Sequence, residues 1–238
     1  MVASQVHLVR HGEVFNPDGI LYGRLSGFGL SKLGHRMAQA AADELAARER
    51  PMSALRVSPL QRTRESAAPI AEAFGLDPVI DDRIIEPTNR FEGTKMRLAL
   101  RKPIYWPYLV NPLRPSWGEA YASIERRMLA AIDEAFESVE SGDVVLMSHQ
   151  LPIWVAHLSV AGERFPHDPR KRRCSLSSIT TFERPPAAEG PADAVDPDPG
   201  TPAKPHEART ASAPRLVEVG YAEPAASLQV AATDVGAV

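Results

Sequence analysis

Val6-His7-Leu8-Val9-Arg10-His11-Gly12 is the stretch that decides the fold. Its apolar run is too short for a helix and stops on two basic residues and a glycine, as a buried strand does when it releases polar groups at its end. Two later stretches repeat the pattern: Leu55 to Val57 stop at Ser58-Pro59, and Val144 to Met147 stop at Ser148-His149. Helical periodicities lie between them. Leu33, Met37, Ala41 and Leu45 share one face behind Ser31, an N-cap candidate. A second helix is read with Ser58 as its cap and Pro59 at its first position, and Pro69 is expected to kink or shorten it. A third carries Ile124, Met128, Ile132 and Phe136, is read as opening with the box Ser116-Trp117-Gly118-Glu119, and is expected to end near Gly142. Strands alternating with helices predict an α/β fold with a mostly parallel sheet.

The chain has 238 residues, 44% hydrophobic and 24% charged, enough to bury one sizeable core. A single catalytic domain is expected over residues 1–184. From Pro185 to Pro214 the chain is rich in Pro, Ala, Asp and Glu with almost no large apolar residue. Such a segment cannot bury enough surface to offset its ordering entropy and is read as a disordered insertion. Ser178 to Phe182 before it and Leu216 to Tyr221 after it alternate like strands, so the insertion is expected inside an edge hairpin, with residues 215–222 as the last strand. Residues 223–238 read as a flexible tail.

A net charge of −3 gives no global drive toward nucleic acid or an anionic membrane, so any anion binding must be local. The single cysteine, Cys174, excludes an internal disulfide and a cysteine-based metal site, and fits a reducing cytoplasm. The first strand begins too early for a secretory signal before it, and the apolar stretch from Leu151 to Ala161 is too short to span a bilayer. The expectation is a cytoplasmic protein with neither nucleic acid nor membrane as partner. Asp193, Asp196 and Asp198 do not match the spacing of a calcium loop, and no metal is expected.

In an open parallel sheet, ligands bind outside the carboxyl ends of the strands. The first strand releases Arg10 and His11 there, the second leads into a helix start bearing Arg62, and the third releases His149. A helix beginning just after His149 would turn unpaired amides and a positive dipole end toward the same rim. Two imidazoles and two guanidiniums on one rim make an anion trap, and arginine forks match phosphate oxygens in a bidentate way.

At these residues the chain resembles the histidine phosphatase superfamily, whose fold is the three-layer α/β/α, phosphoglycerate mutase-like one. Leu8-Val9-Arg10-His11-Gly12-Glu13 is similar to its signature, Ser58-Pro59-Leu60-Gln61-Arg62-Thr63 to its second-arginine motif, Ile84-Ile85-Glu86 to its acidic motif, and Val145-Leu146-Met147-Ser148-His149 to its second-histidine motif. The resemblance runs from about Val6 to about Phe182. It implies a phosphohydrolase that needs neither metal nor cofactor and acts on a small phosphorylated metabolite. His11 would be the nucleophile, Arg10, Arg62 and His149 the phosphate pocket, and Glu86 the proton donor. A neutral imidazole attacks phosphorus without a metal, and a carboxylic acid protonates the departing alkoxide.

The chain also departs from the family's pattern. Gln150 follows His149 where a glycine is usual, and so enters the pocket as a candidate phosphate or substrate contact. The glycine usual soon after the acid is missing, which makes Glu92 a second candidate donor. The family's phosphate-binding asparagine stands one position closer, at Asn16. Arg24, after Tyr22-Gly23, is either a substrate contact or a loop arginine. The basic run Arg170-Lys171-Arg172-Arg173 reads as a solvated loop, with a distal anionic group of a substrate as the other use. Two rival functions share the motifs: a phosphoglycerate mutase that returns the phosphoryl group to product, and a binding protein without turnover.

Overall fold

The computed structural model describes residues 2–99, 101–104, 106, 118–185 and 216–234. The Pro185 to Pro214 insertion beyond Pro185, the stretch from Pro107 to Pro115, and Ser116 and Trp117 of the expected helix box lie outside the described residues.

Six strands form one sheet in the order β3-β2-β4-β1-β5-β6, with β1 Val6–Arg10, β2 Met52–Val57, β3 Val79–Ile80, β4 Asp143–Ser148, β5 Ile179–Glu183 and β6 Val217–Ala222. The first four run parallel; β5 pairs antiparallel with β1, and β6 pairs antiparallel with β5 at the edge. The hairpin of β5 and β6 forms one edge of the sheet.

Helices α1 Lys32–Ala47 and α2 Gln61–Phe74 cover one face, and α4 Tyr121–Glu137 and α5 Gln150–Ala161 cover the other; a short α3 spans Met96–Ala99. The strand pleat sorts the core between these layers. Val144 and Leu146 join Leu8, Ile124, Met128 and Ile153 on the α4–α5 side. Val145 and Met147 join Val9, Leu55, Ala41, Leu45 and Ile70 on the α1–α2 side. Strand β4 is buried along its whole length, as a central parallel strand covered on both faces must be. Each such aliphatic side chain contributes roughly 1.5–3 kcal/mol.

Ser31 caps α1, its hydroxyl accepting from Gly34 N at 2.9 Å. The second helix departs from expectation. Leu60, not Ser58, is its N-cap, with no side-chain cap; Thr63 Oγ1 donates into the carbonyls of Ser58 and Leu60 instead. Nor does Pro69 end it, because Ala67 and Ile70 are fully buried in the core on either side and packing holds the helix through to Phe74. The third helix begins at Tyr121 behind Ala120, and Glu119 caps nothing: its carboxylate binds Ser123 and Arg127 along the helix side. It ends at Glu137 with Ser138 as C-cap, short of Gly142.

The end of the chain is docked rather than loose as far as Asp234. A helical turn, α6 Ala226–Gln229, packs Leu228 and Ala232 beside Met37 and Leu176, with Ala225 fully buried. Gln229 Nε2 donates to Leu176 O at 3.1 Å. Alternating small and apolar residues supply this contact, which composition alone did not reveal. No helix among the described residues is long and apolar enough to cross a membrane.

Candidate active site

Strand register brings the motif residues together. Arg10 of β1 pairs with Ser148 of β4, so His11 and His149 leave the sheet side by side. Their ring centroids are 5.2 Å apart at an edge-on 62°. Val57 of β2 pairs with Met147, which places Ser58 at the same rim. Short tethers fix the loops between. Ser66 Oγ accepts from Gly12 N at 3.1 Å and donates to Arg62 O at 2.8 Å, joining the His11 loop to the helix that carries Arg62. Ser148 Oγ donates to Ile84 O at 2.7 Å and thereby holds the turn leading to Glu86.

Arg10, His11, Arg62, Glu86 and His149 are all almost completely buried. His11 Nδ1 lies 2.8 Å from Gly12 O. A carbonyl only accepts, so Nδ1 carries the proton and Nε2 keeps its lone pair. Burial, and then the charges of Arg62 and Arg10, hold the His11 pKa well below the usual histidine value. His149 is depressed likewise by burial and Arg62. Both rings are therefore neutral at pH 7. Ser58 Oγ lies 2.7 Å from His149 Nε2, leaving Nδ1 facing Glu86 Oε2 at 3.6 Å. Burial pushes the Glu86 carboxyl up to about 7 against the pull of Arg62, Arg172 and Arg10. A carboxyl titrating there is protonated in a large fraction of molecules at neutral pH.

Arg62 stacks over the ring of Tyr22, 4.7 Å from its centroid, and donates to Gly23 O at 2.8 Å. Arg10 donates to Cys174 O at 2.7 Å and meets the carboxylate of Asp234 with both terminal nitrogens, at 2.9 and 2.6 Å. Among the described residues, Arg10 Nε, Arg62 Nε, His149 Nδ1 and Glu86 Oε1 are buried without a hydrogen-bond partner. Three of these are nitrogens of the expected anion trap, where a bound anion would complete their hydrogen bonds.

The other expected residues lie around this centre. Gln150 accepts from Arg172 at 3.1 Å and donates at 3.4 Å to Cys174 O, the carbonyl that also receives Arg10. Arg24 donates through Nε to the backbone oxygen of Glu86 at 2.5 Å and reaches Glu119 at 3.7 Å, which makes it a brace for the Glu86 loop. The Asn16 side chain donates to Ile20 O at 2.8 Å and accepts from Ile20 N at 3.2 Å, closing its own loop. Glu92 accepts from Asn89 N at 3.0 Å, while Glu86 is the carboxylate beside His149. Arg172, from the basic run, is held by His167 at 2.8 Å and Gln150, and its charge acts on Glu86.

Sequence reasoning missed Ser58 and Tyr22 as members of this site, and Asp234 as the partner of Arg10. Ser58 was absorbed by its helix-cap reading, and Tyr22 carried no signal beyond its place beside Gly23-Arg24. Burial pushes the Tyr22 hydroxyl up to about 12 despite Arg62 and Arg10 nearby, so it stays a hydrogen-bond donor.

The family model "Histidine phosphatase superfamily (branch 1)" matches residues 6–190. An uncharacterized protein of Mycobacterium tuberculosis is 49% identical over 182 residues, covering 75% of this chain and 89% of that protein. The probable phosphoglycerate mutase GpmB of Yersinia enterocolitica is 32% identical over 195 residues, covering 78% of this chain and 89% of its own. Among solved structures, the mycobacterial glucosyl-3-phosphoglycerate phosphatase superposes with a TM-score of 0.61 at 22% identity, over 75% of this chain and 89% of that one. The phosphoserine phosphatase of Entamoeba histolytica gives a TM-score of 0.62 at 20% identity, over 76% and 90%. At that identity the two structures attest the fold alone. The family-model match carries membership, and the chain belongs to the histidine phosphatase superfamily, branch 1.

Proposed function

We propose that the protein is a phosphomonoester hydrolase that passes the phosphoryl group of a small phosphorylated metabolite through His11. The observation that carries this reading is the Nδ1 to Gly12 O hydrogen bond, which leaves His11 Nε2 as an unprotonated nucleophile in an arginine-lined pocket. In the first step the Nε2 lone pair attacks phosphorus and the bond to the leaving oxygen breaks. The ring then carries positive charge, which the Gly12 carbonyl stabilises through Nδ1–H. Glu86, whose carboxyl burial raises to about 7, gives its proton to the departing alkoxide. In the second step Glu86 carboxylate takes a proton from water, the water oxygen attacks phosphorus, and the N–P bond breaks to regenerate neutral His11 and free phosphate. Arg10, Arg62 and His149 offset the charge on the transferring group. Gln150 and Tyr22 line the same pocket and contact the bound substrate.

Rapid-quench turnover with labelled substrate tests the reading. Acid-labile, base-stable phosphate should accumulate on His11 and vanish in His11→Ala; labelling that persists in that variant rules the nucleophile out. The reaction as written draws on no metal, so turnover should be indifferent to EDTA.

A mutase is the second reading, favoured by the relationship to GpmB. It would use the same first step and return the phosphoryl group from His11 to a bound product.

A further inference from the structure

The fork of Arg10 is already filled by the protein's own chain. Both terminal nitrogens of this completely buried guanidinium engage the carboxylate of Asp234, one oxygen each, at 2.9 and 2.6 Å. Two oxygens on one fork is the geometry with which arginine takes two oxygens of a phosphate. A carboxylate therefore stands where the proposed function puts substrate oxygens.

The approach of this carboxylate is built rather than incidental. Thr233 N donates to Glu13 Oε1 at 2.6 Å, and Glu13 in turn receives the hydroxyl of Ser31, the cap of α1. Upstream, Leu228 and Ala232 pack beside Met37 and Leu176, and Gln229 binds Leu176 O. The chain is thus anchored on α1 and on the Leu176 loop up to the residue before Asp234. Asp234 itself keeps 38% of its side chain exposed, whereas its partner Arg10 has none exposed. A half-exposed side chain next to its anchor can leave by rotation while the anchor holds. Two anions cannot share one guanidinium fork in a buried site without strong repulsion.

We propose that Asp234 is an internal stand-in for phosphate, an autoinhibitory carboxylate that competes with substrate phosphate for Arg10 and must swing out before the phosphoryl group is seated. Its effect falls on affinity, because the displaced carboxylate takes no part in the bond-making steps. The proposal rests on Arg10 being a phosphate-binding group, and the test separates the two.

Titration calorimetry with inorganic phosphate on the full chain compares wild type, Asp234→Asn, Asp234→Ala and Arg10→Ala, with melting curves to confirm folding. Both Asp234 variants should bind phosphate about fivefold or more tighter than wild type, and steady-state KM for a phosphomonoester should fall in parallel while kcat does not. Arg10→Ala should bind phosphate more weakly. Unchanged or weaker phosphate binding in both Asp234 variants, with Arg10→Ala still impaired, overturns the internal competitor and leaves Arg10 as a phosphate ligand that Asp234 merely positions. Wild-type binding in Arg10→Ala removes the phosphate role of Arg10, and the proposal with it.

Discussion

Ser58 and His149, 91 residues apart in sequence, meet through a 2.7 Å contact between hydroxyl and imidazole at the ends of neighbouring strands. The contact occupies Nε2 of His149 and turns Nδ1 toward Glu86. An aligned neutral imidazole is worth more to a transferring phosphoryl group than a mobile one, because its orientation is set before reaction. Ser58→Ala should therefore lower kcat by about tenfold, the equivalent of one buried hydrogen bond, with little change in KM. A kcat within twofold of wild type would show that the packing of the pocket orients His149 without the hydroxyl.

A second prediction concerns the backbone beneath His11. A Cβ placed on Gly34 would lie 2.0 Å from Glu13 O, and one on Gly12 would lie 2.4 Å from Gly34 O. The first turn of α1 and the His11 loop touch backbone to backbone. Gly34 sits inside a helix, where alanine is ordinarily favoured by about 1 kcal/mol. Here Gly34→Ala should instead destabilise by about 1–3 kcal/mol through forced separation of the two segments, and should also slow turnover by displacing His11. A melting temperature equal to or above wild type would refute the close approach.

Much of this arrangement was legible in the sequence. The three strand ends that carry Arg10-His11, Ser58 and His149 announced themselves because a central parallel strand is apolar on both faces and stops abruptly where polar groups begin. Ser31 was legible as a cap because its role is local, three residues from Gly34 N. The start of α2 was not, because Ser58 fits a local cap pattern while the tertiary contact with His149 uses the same hydroxyl. Asp234 was beyond reach for a related reason. Its partner Arg10 lies 224 residues away, and an acidic residue in a small-residue terminal segment has no periodicity to mark it. Asn16 shows another limit: its role comes from the resemblance alone, while its amide bonds the backbone of Ile20.

Glu86 gives a prediction in pH. Burial raises its carboxyl from 4.5 to about 7. Hydrolysis of alkyl phosphates, which need the proton donor, should hold up to about pH 7 and then fall close to tenfold per pH unit, while aryl phosphates with good leaving groups lose far less. Glu86→Gln should slow the alkyl substrates selectively and abolish that basic limb; equal slowing of both classes would point to Glu92 or to a structural role.

The same shift acts on stability. A carboxyl raised on folding binds more protons in the native state than in the unfolded state between pH 4.5 and 7. Its contribution to stability is therefore fully present below about 4.5 and is lost as pH rises through 7. Wild type should lose stability relative to Glu86→Gln across that window, by on the order of 3 kcal/mol at pH 8. Parallel melting temperatures of the two proteins at pH 5 and pH 8 would mean that the carboxyl is not buried as a charge-averse acid.

The last prediction separates hydrolase from mutase. A mutase must keep water from phosphohistidine while its product reorients, whereas a hydrolase must admit water at that moment. Among the described residues, cover of this kind would come from the chain between Glu86 and His149 or from the segment that leads to Asp234. In the first interval, α4 takes 17 residues and β4 takes 6, both committed to the core. Of what precedes them, Phe91 is buried and Glu119 is tied to Arg127, while Leu98, Ile104 and Trp106 stand exposed. The C-terminal segment reaches the pocket through Asp234, but a carboxylate on Arg10 competes with phosphate rather than sealing a phosphoryl group in place. With 3-phosphoglycerate and a bisphosphoglycerate primer, the expected outcome is slow phosphate release or no reaction. Conversion to 2-phosphoglycerate faster than phosphate release from any phosphorylated metabolite tested would assign the chain to the mutases, with His11 serving the same first step and water excluded from the second.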